Sequence, residues 1–484
     1  MNTLKKELFS GVFYTAIAKY SGIVLSLIIT GVLSRLLSPD DFGIVAVASV
    51  IIAFFGIFTD MGISPAIVQK KNLSSEDLSG IFSFTIWIGV CLSLLFFLLS
   101  YPIGVYYENQ TLITLCQLLS INLFFSSANI VPNSLFYKNK EFKFIAWRSL
   151  IIQTIGGTVA IIAAFSGAGL YALIINPIFS SLLLFFISIK KYPQKISLTL
   201  GIEPLRKIFS YSAYQFLFNT INYFSRNLDK LLIGKHMGMN PLGYYEKSYR
   251  LMMLPLQNIT QVITPVMHPV FSDFQNDLKK LASSYERVIR LLAFIGFPAS
   301  VLLYFTAEEL ILILFGDQWL PSIPVFQILT FSVGIQVVLS SSGSIFQAAN
   351  DTRSLFVCGL FSATLNVTGI LIGIFLFQTL NAVALCICIT FTINFFQCYW
   401  RMYRTTFKRV QKYYLKQLVS PIILSIILFL ILYIVSIFIS DINFIISLGI
   451  KSIIYIFVFA CYIQLSREFN IINFIKKKLH THNK

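Results

Sequence analysis

Apolar runs of about 20 residues, each long enough to cross a bilayer as a helix, follow one another along almost the whole chain. Fourteen are legible, the first at 12–34 and the last at 443–463, and the polar stretches between them are short. Two runs break the pattern. In the seventh (209–233), Ser212, Gln215, Asn219, Asn222, Arg226 and Asp229 recur every three or four residues, so they share one helix face. Tyr211, Phe216, Leu217, Phe218, Ile221, Tyr223 and Phe224 occupy the other faces. In the eighth (244–268), Lys247, Arg250, Gln257, Gln261, Thr264 and His268 form a second polar track, interrupted by Leu254. The pattern predicts an all-α polytopic membrane protein with about 14 transmembrane helices.

Composition agrees: 56% of the 484 residues are hydrophobic and 12% charged, too apolar for a soluble protein. A formal charge of +17 would suggest nucleic acid in a soluble chain, but its placement argues otherwise. With the N-terminus inside, 29 of the 37 Lys and Arg residues fall on cytoplasmic connectors and tails, six inside the runs, and only Arg35 and Lys235 on the opposite connectors. That is a positive-inside signal. It predicts cytoplasmic termini and an even number of spans, and it leaves no charge excess to explain by nucleic acid. The first run is interrupted by Lys19 and continues to full spanning length, so it reads as a retained helix rather than a cleaved leader. The seven cysteines all fall in apolar runs without metal or redox spacing and read as small packing residues.

The chain also resembles itself. Phe9-Ser10 and Phe209-Ser210, Arg35 and Lys235, Gly43 and Gly243, and Ile63-Ser64-Pro65 and Ile263-Thr264-Pro265 are each 200 residues apart. SLFYKNKEFK (134–143) and SIFQAANDTR (344–353) match at an offset of 210. Six spans per repeat return the chain to the same side, so the repeats are parallel, related by an axis along the membrane normal. The expected organisation is an N-terminal six-helix lobe (1–200), a second six-helix lobe (201–412), and two further helices with a basic cytoplasmic tail (413–484). The two lobes are expected to surround a central cavity.

A charge in hydrocarbon costs at least ~2.5–3.5 kcal/mol on insertion scales, so the polar tracks should face water or the bundle interior. At the repeat offset, the first run places Thr15, Lys19, Gly22 and Ser26 opposite 215, 219, 222 and 226. The candidate cavity cations are Lys19, Arg226, Lys230, Lys247 and Arg250, against Asp229 and Glu246. Gln215, Asn219, Asn222, Gln257 and Gln261 are the uncharged lining. A net-cationic chamber suits an anionic substrate, because the guanidinium fork holds phosphate or carboxylate in a bidentate way. Asp60 and Asp229 are candidates for a coupling ion or for structural pairing.

No phosphate loop, HExxH, GxSxG or clustered carboxylate set is present, and no outer connector is long enough for a catalytic domain. The reading is a transporter, with no catalytic residues, metal or cofactor. The stretches LSRLLSPDDFGIVAVASV (33–50), FTDMGISPAIVQKKNLS (58–74), RNLDKLLIGKHMGMNPLGYYEKSYRL (226–251) and FGDQWLPSIPVFQIL (315–329) carry a resemblance to Wzx-type polysaccharide flippases of the multidrug/oligosaccharidyl-lipid/polysaccharide (MOP) exporter superfamily, nearest the WzxC-like branch. The resemblance covers essentially the whole chain. It implies a bacterial inner-membrane protein that moves undecaprenyl-diphosphate-linked oligosaccharide to the periplasmic leaflet by alternating access without ATP hydrolysis. The glycan would be destined for O antigen, capsule or exopolysaccharide. Outward carriage of a diphosphate moves negative charge toward the positive side, so membrane potential is the expected drive, with Na⁺ or H⁺ bound at Asp60 and Asp229 as the alternative; polymerase and chain-length proteins are the expected partners. By analogy with the flippases of peptidoglycan synthesis, Lys19, Arg226 and Arg250 would hold the diphosphate. The competing reading is a drug or cation exporter of the same fold, which would favour an acidic cavity.

Overall fold

Helix boundaries in this chain are set by caps, since apolar composition alone would let each helix run on. Ser38 opens the second helix with a reciprocal capping box: its side chain accepts from Asp41 N–H while Asp41 accepts from the Ser38 backbone, and Pro39 fills the first helical position. Ser74 and Asp77 repeat the device, and Asn109, Asp277, Asp351 and Thr379 cap the helices that follow them.

The computed structural model describes residues 2–70, 72–196, 220, 223, 224, 226–272, 274, 277–439 and 442–466. Among these residues all regular structure is helical. In chain order the helices are α1 (Asn2–Leu36), α2 (Pro39–Asp60), α3 (Ile63–Gln69), α4 (Ser75–Tyr106), α5 (Gln110–Ala128), α6 (Ile130–Lys138), α7 (Phe142–Phe165) and α8 (Ala172–Lys191). Then come α9 (226–236), α10 (Met239–Ser272), α11 (Leu278–Phe305), α12 (Ala307–Phe315), α13 (Ser322–Leu339), α14 (Ser342–Ala348), α15 (Thr352–Leu371), α16 (Leu380–Arg401), α17 (Lys412–Phe438) and α18 (Phe444–Ser466).

Twelve segments among the described residues are long and apolar enough to cross a membrane. They coincide with twelve of the fourteen runs read from sequence. The seventh run lies mostly outside the described residues. The eighth forms α10, a 34-residue helix in which Glu246, Lys247, Arg250, Gln257 and Gln261 dilute the apolar content.

The chain divides into two compact units, Met1–Glu246 and Lys247–Lys484. In the first, Ile29 and Leu33 of α1 and Leu37 just after it pack on Ala160 of α7 and Ala172 of α8. A second cluster joins α3, α4 and α6 through Ile63, Ile67, Phe82, Val131 and Leu135. In the second unit, Phe294 of α11 packs on Leu424 and Leu428 of α17. Close helix approach uses small residues, as in membranes generally. Gly89 faces Ser127 between α4 and α5, and Gly296 faces Gly334 and Val337 between α11 and α13.

Both units break a long apolar run into a long and a short helix, α5–α6 and α13–α14. In each case a left-handed residue follows two positions after the end of the short helix, Lys140 (φ 58°) and Asn350 (φ 56°). These two positions are 210 residues apart, the offset of the SLFYKNKEFK and SIFQAANDTR match.

Asp351 follows that break and caps α15 by accepting from Ser354 N–H at 3.0 Å, while Thr406 Oγ1 donates to its other oxygen at 2.5 Å. Burial works against its charge, but the bonds from Thr406 and Ser354 and the charge of Arg401 outweigh burial and hold the carboxyl below its usual value. A depressed folded value stabilises above the ordinary carboxylate range, and the effect is lost as pH falls through the folded value. Asp351→Asn is therefore expected to lower thermal stability at pH 7, with the gap to wild type closing below about pH 4. A thermal-shift series in detergent from pH 7 to 3.5 checks this, and a gap independent of pH would refute it.

Candidate functional site

The charged helix end that stood out in the sequence is α9. Its polar stripe upstream (Ser212, Gln215, Asn219 and Asn222) lies outside the described residues, as do the side chains of Gln261, Thr264 and His268. Gly238, at φ +102°, makes the turn from α9 into α10, a conformation that suits glycine. The turn lays the first residues of α10 against α9 and pairs consecutive positions 16 residues apart. Tyr245 Oη donates to Asp229 Oδ2 at 2.6 Å, and Lys230 Nζ lies 2.7 Å from Glu246 Oε2.

Asp229 is only 4% exposed, and its other oxygen accepts the Lys230 N–H at 2.8 Å. Its partners are thus Tyr245 and a backbone amide. Among the described residues no ion pair joins it to Arg226. Arg226 itself is exposed.

Lys247 is 1% exposed and lies over the rings of Phe315 and Trp319, 4.7 and 4.9 Å from their centroids. Aromatic faces supply the negative potential that a buried ammonium needs. Next to it, Ser248 Oγ donates to Ser322 O at 2.8 Å. Arg250 and Gln257 are exposed on α10. Lys19 is half-buried on α1 and lies 5.7 Å from the Tyr20 ring centroid. One turn on, Gln153 Nε2 donates to Gly22 O at 2.9 Å.

Asp60 sits where α2 breaks into α3, and its two oxygens accept from Gly62 N–H and Ser64 N–H at 3.3 Å each. It caps α3 across the left-handed pair Met61 and Gly62. Of the five cations read from sequence, Lys230 is matched by Glu246, Lys247 is withdrawn against aromatic rings, and Lys19, Arg226 and Arg250 remain presented at least in part.

Three groups of contacts were not legible in the sequence. Gly43 and Gly243, the pair 200 residues apart, meet reciprocally. A Cβ on Gly43 would lie 1.9 Å from Met239 O, and a Cβ on Gly243 would lie 2.0 Å from Pro39 O. Around them Lys235 pairs with Glu108 at 2.8 Å, Tyr107 Oη donates to Leu231 O at 3.2 Å, and Tyr223 Oη donates to Val50 O at 2.5 Å. Finally, Lys451 of α18 and Glu309 of α12 form a buried ion pair, with Ser447 donating to Glu309. Opposite charges in two separate apolar runs, AEELILILF and FIISLGIKSII, were the available signal for that pair.

The described residues form an all-helical polytopic membrane fold with twelve candidate spans. The solved lipid II flippase MurJ in an inward closed conformation shares the fold at a TM-score of 0.73 and 16% identity, over 94% of this chain and 99% of that one. The chain belongs to the polysaccharide biosynthesis protein family, whose model matches residues 32–324, and thus to the Wzx-like flippases of the MOP superfamily. It is similar to the lipopolysaccharide biosynthesis protein WzxC of Escherichia coli K12, 26% identical over 77% of this chain and 76% of that protein. It is also 24% identical, over 78% of this chain and 81% of the relative, to an uncharacterized membrane protein in the cps region of Klebsiella pneumoniae. The chain is a membrane transporter of polysaccharide biosynthesis, not an enzyme.

Proposed function

We propose that the protein carries a polyprenyl-diphosphate-linked oligosaccharide from the cytoplasmic to the outer leaflet of a bacterial inner membrane by alternating access, serving O-antigen, capsule or exopolysaccharide synthesis. In this reading the chain has fourteen spans in two parallel six-helix lobes with two further helices, and both termini are cytoplasmic. The observation that carries it is the exposure of Arg226 beside charges that are internally matched. An arginine at a span position, with Asp229 committed to Tyr245 and Lys230 to Glu246, is available to an outside anion. Lys19 and Arg250 are the further candidates for the diphosphate. Lys230 and Lys247 support the surrounding helices, and Gln257, exposed on α10, is the described polar side chain offered to the path.

Membrane potential is the natural drive. Outward movement of a diphosphate carries negative charge toward the positive side, worth about 2.3 kcal/mol per charge per 100 mV. Asp60 accepts from backbone amides at the α2–α3 break and Asp229 from Tyr245 and a backbone amide, which supports structural work for both in the state described and leaves potential as the simpler source of coupling than bound Na⁺ or H⁺. The test is leaflet exchange of a labelled polyprenyl-diphosphate oligosaccharide in vesicles containing the purified protein. Exchange is expected with protein alone, without ATP, and faster outward when the inside is negative. Absence of exchange by well-folded protein supplied with its own glycan would overturn the reading.

A further inference from the structure

The reciprocal approach of Gly43 and Gly243 carries a consequence for how the path closes. Each glycine is the fifth residue of its helix, counted from Pro39 in α2 and from Met239 in α10. Each meets the backbone carbonyl of the other helix's first residue at a distance that no side chain permits. Residue 39 relates to 239 as 43 relates to 243, so the contact is isologous: the same patch meets itself. An isologous contact straddles its two-fold axis by construction. In a parallel-repeat transporter the substrate path runs along that axis. Arg35 and Lys235, just before these helix starts, are the two basic residues on connectors that the charge pattern places outside.

We infer that Gly43 and Gly243 form a clasp that closes the outer end of the substrate path and must part for release. This rests on the flippase reading for what passes, but not for the contact itself. The chemistry suits a contact that is made and broken. At its centre it is backbone against backbone, with glycine Cα–H groups facing carbonyl oxygens, and the side chains beside it meet on apolar surface, Val47 against Gly234 and Phe54 against Phe224. The surrounding bonds include the Lys235–Glu108 pair, whose Glu108 side chain is largely exposed, and single tyrosine bonds to Leu231 and Val50. Hydrogen bonding and the charge of Lys235 hold the Glu108 carboxyl below its usual value, so the ion pair is present at neutral pH.

Alanine is enough to break such a clasp. The obstructing atoms are backbone and cannot rotate away, while within each helix Gly→Ala favours the helical state, so loss of folding is not the expected result. Spin labels on Asp40→Cys and Asn240→Cys, both exposed and 200 residues apart, report the separation in a background lacking the seven native cysteines. In nanodiscs the clasped form should give a short distance that Gly43→Ala and Gly243→Ala each shift to longer values. Leaflet exchange should fall by about tenfold or more, because a state that cannot close depopulates the rest of the cycle. Lys235→Ala, which leaves the glycines intact, should broaden the same distribution without abolishing the short component.

A distance unmoved by either alanine, in monodisperse protein, overturns the clasp even if wild type exchanges lipid. Should the alanine variants aggregate, an unbroadened distribution in Lys235→Ala overturns it instead. A lengthened distance in protein that moves no polyprenyl-diphosphate supports the clasp and removes the substrate reading, so the two fail separately.

Discussion

Glu309→Ala and Lys451→Ala are each expected to destabilise the protein by about 3–5 kcal/mol, the usual cost of stranding one member of a buried ion pair. Glu309 is 3% exposed and Lys451 7% exposed. The lysine ammonium donates to Glu309 and to Phe305 O, the latter at 2.7 Å, and Ser447 Oγ donates to the same carboxylate oxygen at 2.5 Å. Among the described residues the other Glu309 oxygen has no partner, so there the carboxylate depends on Lys451 and Ser447. Removing either charge leaves the other in a setting that neither lipid nor protein can solvate. The damage should fall on the docking of α18, because the pair is the polar tie between it and α12, while the apolar cluster of Phe294, Leu424, Leu428 and Tyr462 continues to hold the α17–α18 hairpin on α11.

The double variant Glu309→Leu/Lys451→Met discriminates pairing from mere burial. Replacing both members by apolar groups of similar size is often neutral or stabilising, so the double variant should recover most of what each single variant loses. Thermal unfolding in detergent, followed by size-exclusion fluorescence, gives the cycle. Additive losses in the double variant would show that the two charges act independently, contrary to the geometry.

The contrast between these charges and those of α9 shows which parts of the molecule its sequence discloses. Spanning helices were legible because the bilayer admits little else: backbone groups must be satisfied within the segment, and long apolar runs result. Breaks inside a run were not. The α2–α3 break at Met61 and Gly62, the α5–α6 break at Asn129 and the α13–α14 break around Ser341 all lie inside runs long enough to span, and the short polar clusters at them, such as Ser340-Ser341-Ser342, do not by themselves distinguish a break from a continuous helix.

Repeat offsets pointed to Gly43 and Gly243 as corresponding positions, yet correspondence does not say that two residues touch. That fact depends on where the axis runs. The partners of Asp229 and Lys230 were hidden for a different reason. Both sit 16 residues away across the Gly238 turn, outside the three- and four-residue spacing by which a single helix is read. Reading α9 alone makes Arg226 the obvious partner for Asp229, whereas the turn brings Tyr245 and Glu246 instead. Asp60 looked like an unexplained carboxylate in an apolar run because the break it caps was itself invisible.

That reassignment of partners separates the five cations by what their loss should do. Lys19→Ala and Arg226→Ala are expected to lower leaflet exchange by roughly 10- to 100-fold, the equivalent of one charge-assisted hydrogen bond of about 1.5–3 kcal/mol, with thermal stability unchanged. Neither has an ion-pair partner to strand among the described residues. Arg226→Lys should retain part of the activity, because it keeps the charge but loses the planar fork that meets two phosphate oxygens at once. Lys230→Ala should behave otherwise. It leaves Glu246 without its cation, 2.7 Å away, so its effect should appear as lost stability and be reversed by Glu246→Gln, which removes the stranded charge. Lys247→Ala should likewise cost stability by emptying the space against Phe315 and Trp319. Measuring exchange and unfolding on the same preparations decides the matter. If Lys19→Ala and Arg226→Ala both exchange lipid at the wild-type rate, the diphosphate is held by other groups. If they unfold early instead, the two cations are structural and the polar stripe of α9 requires a different explanation.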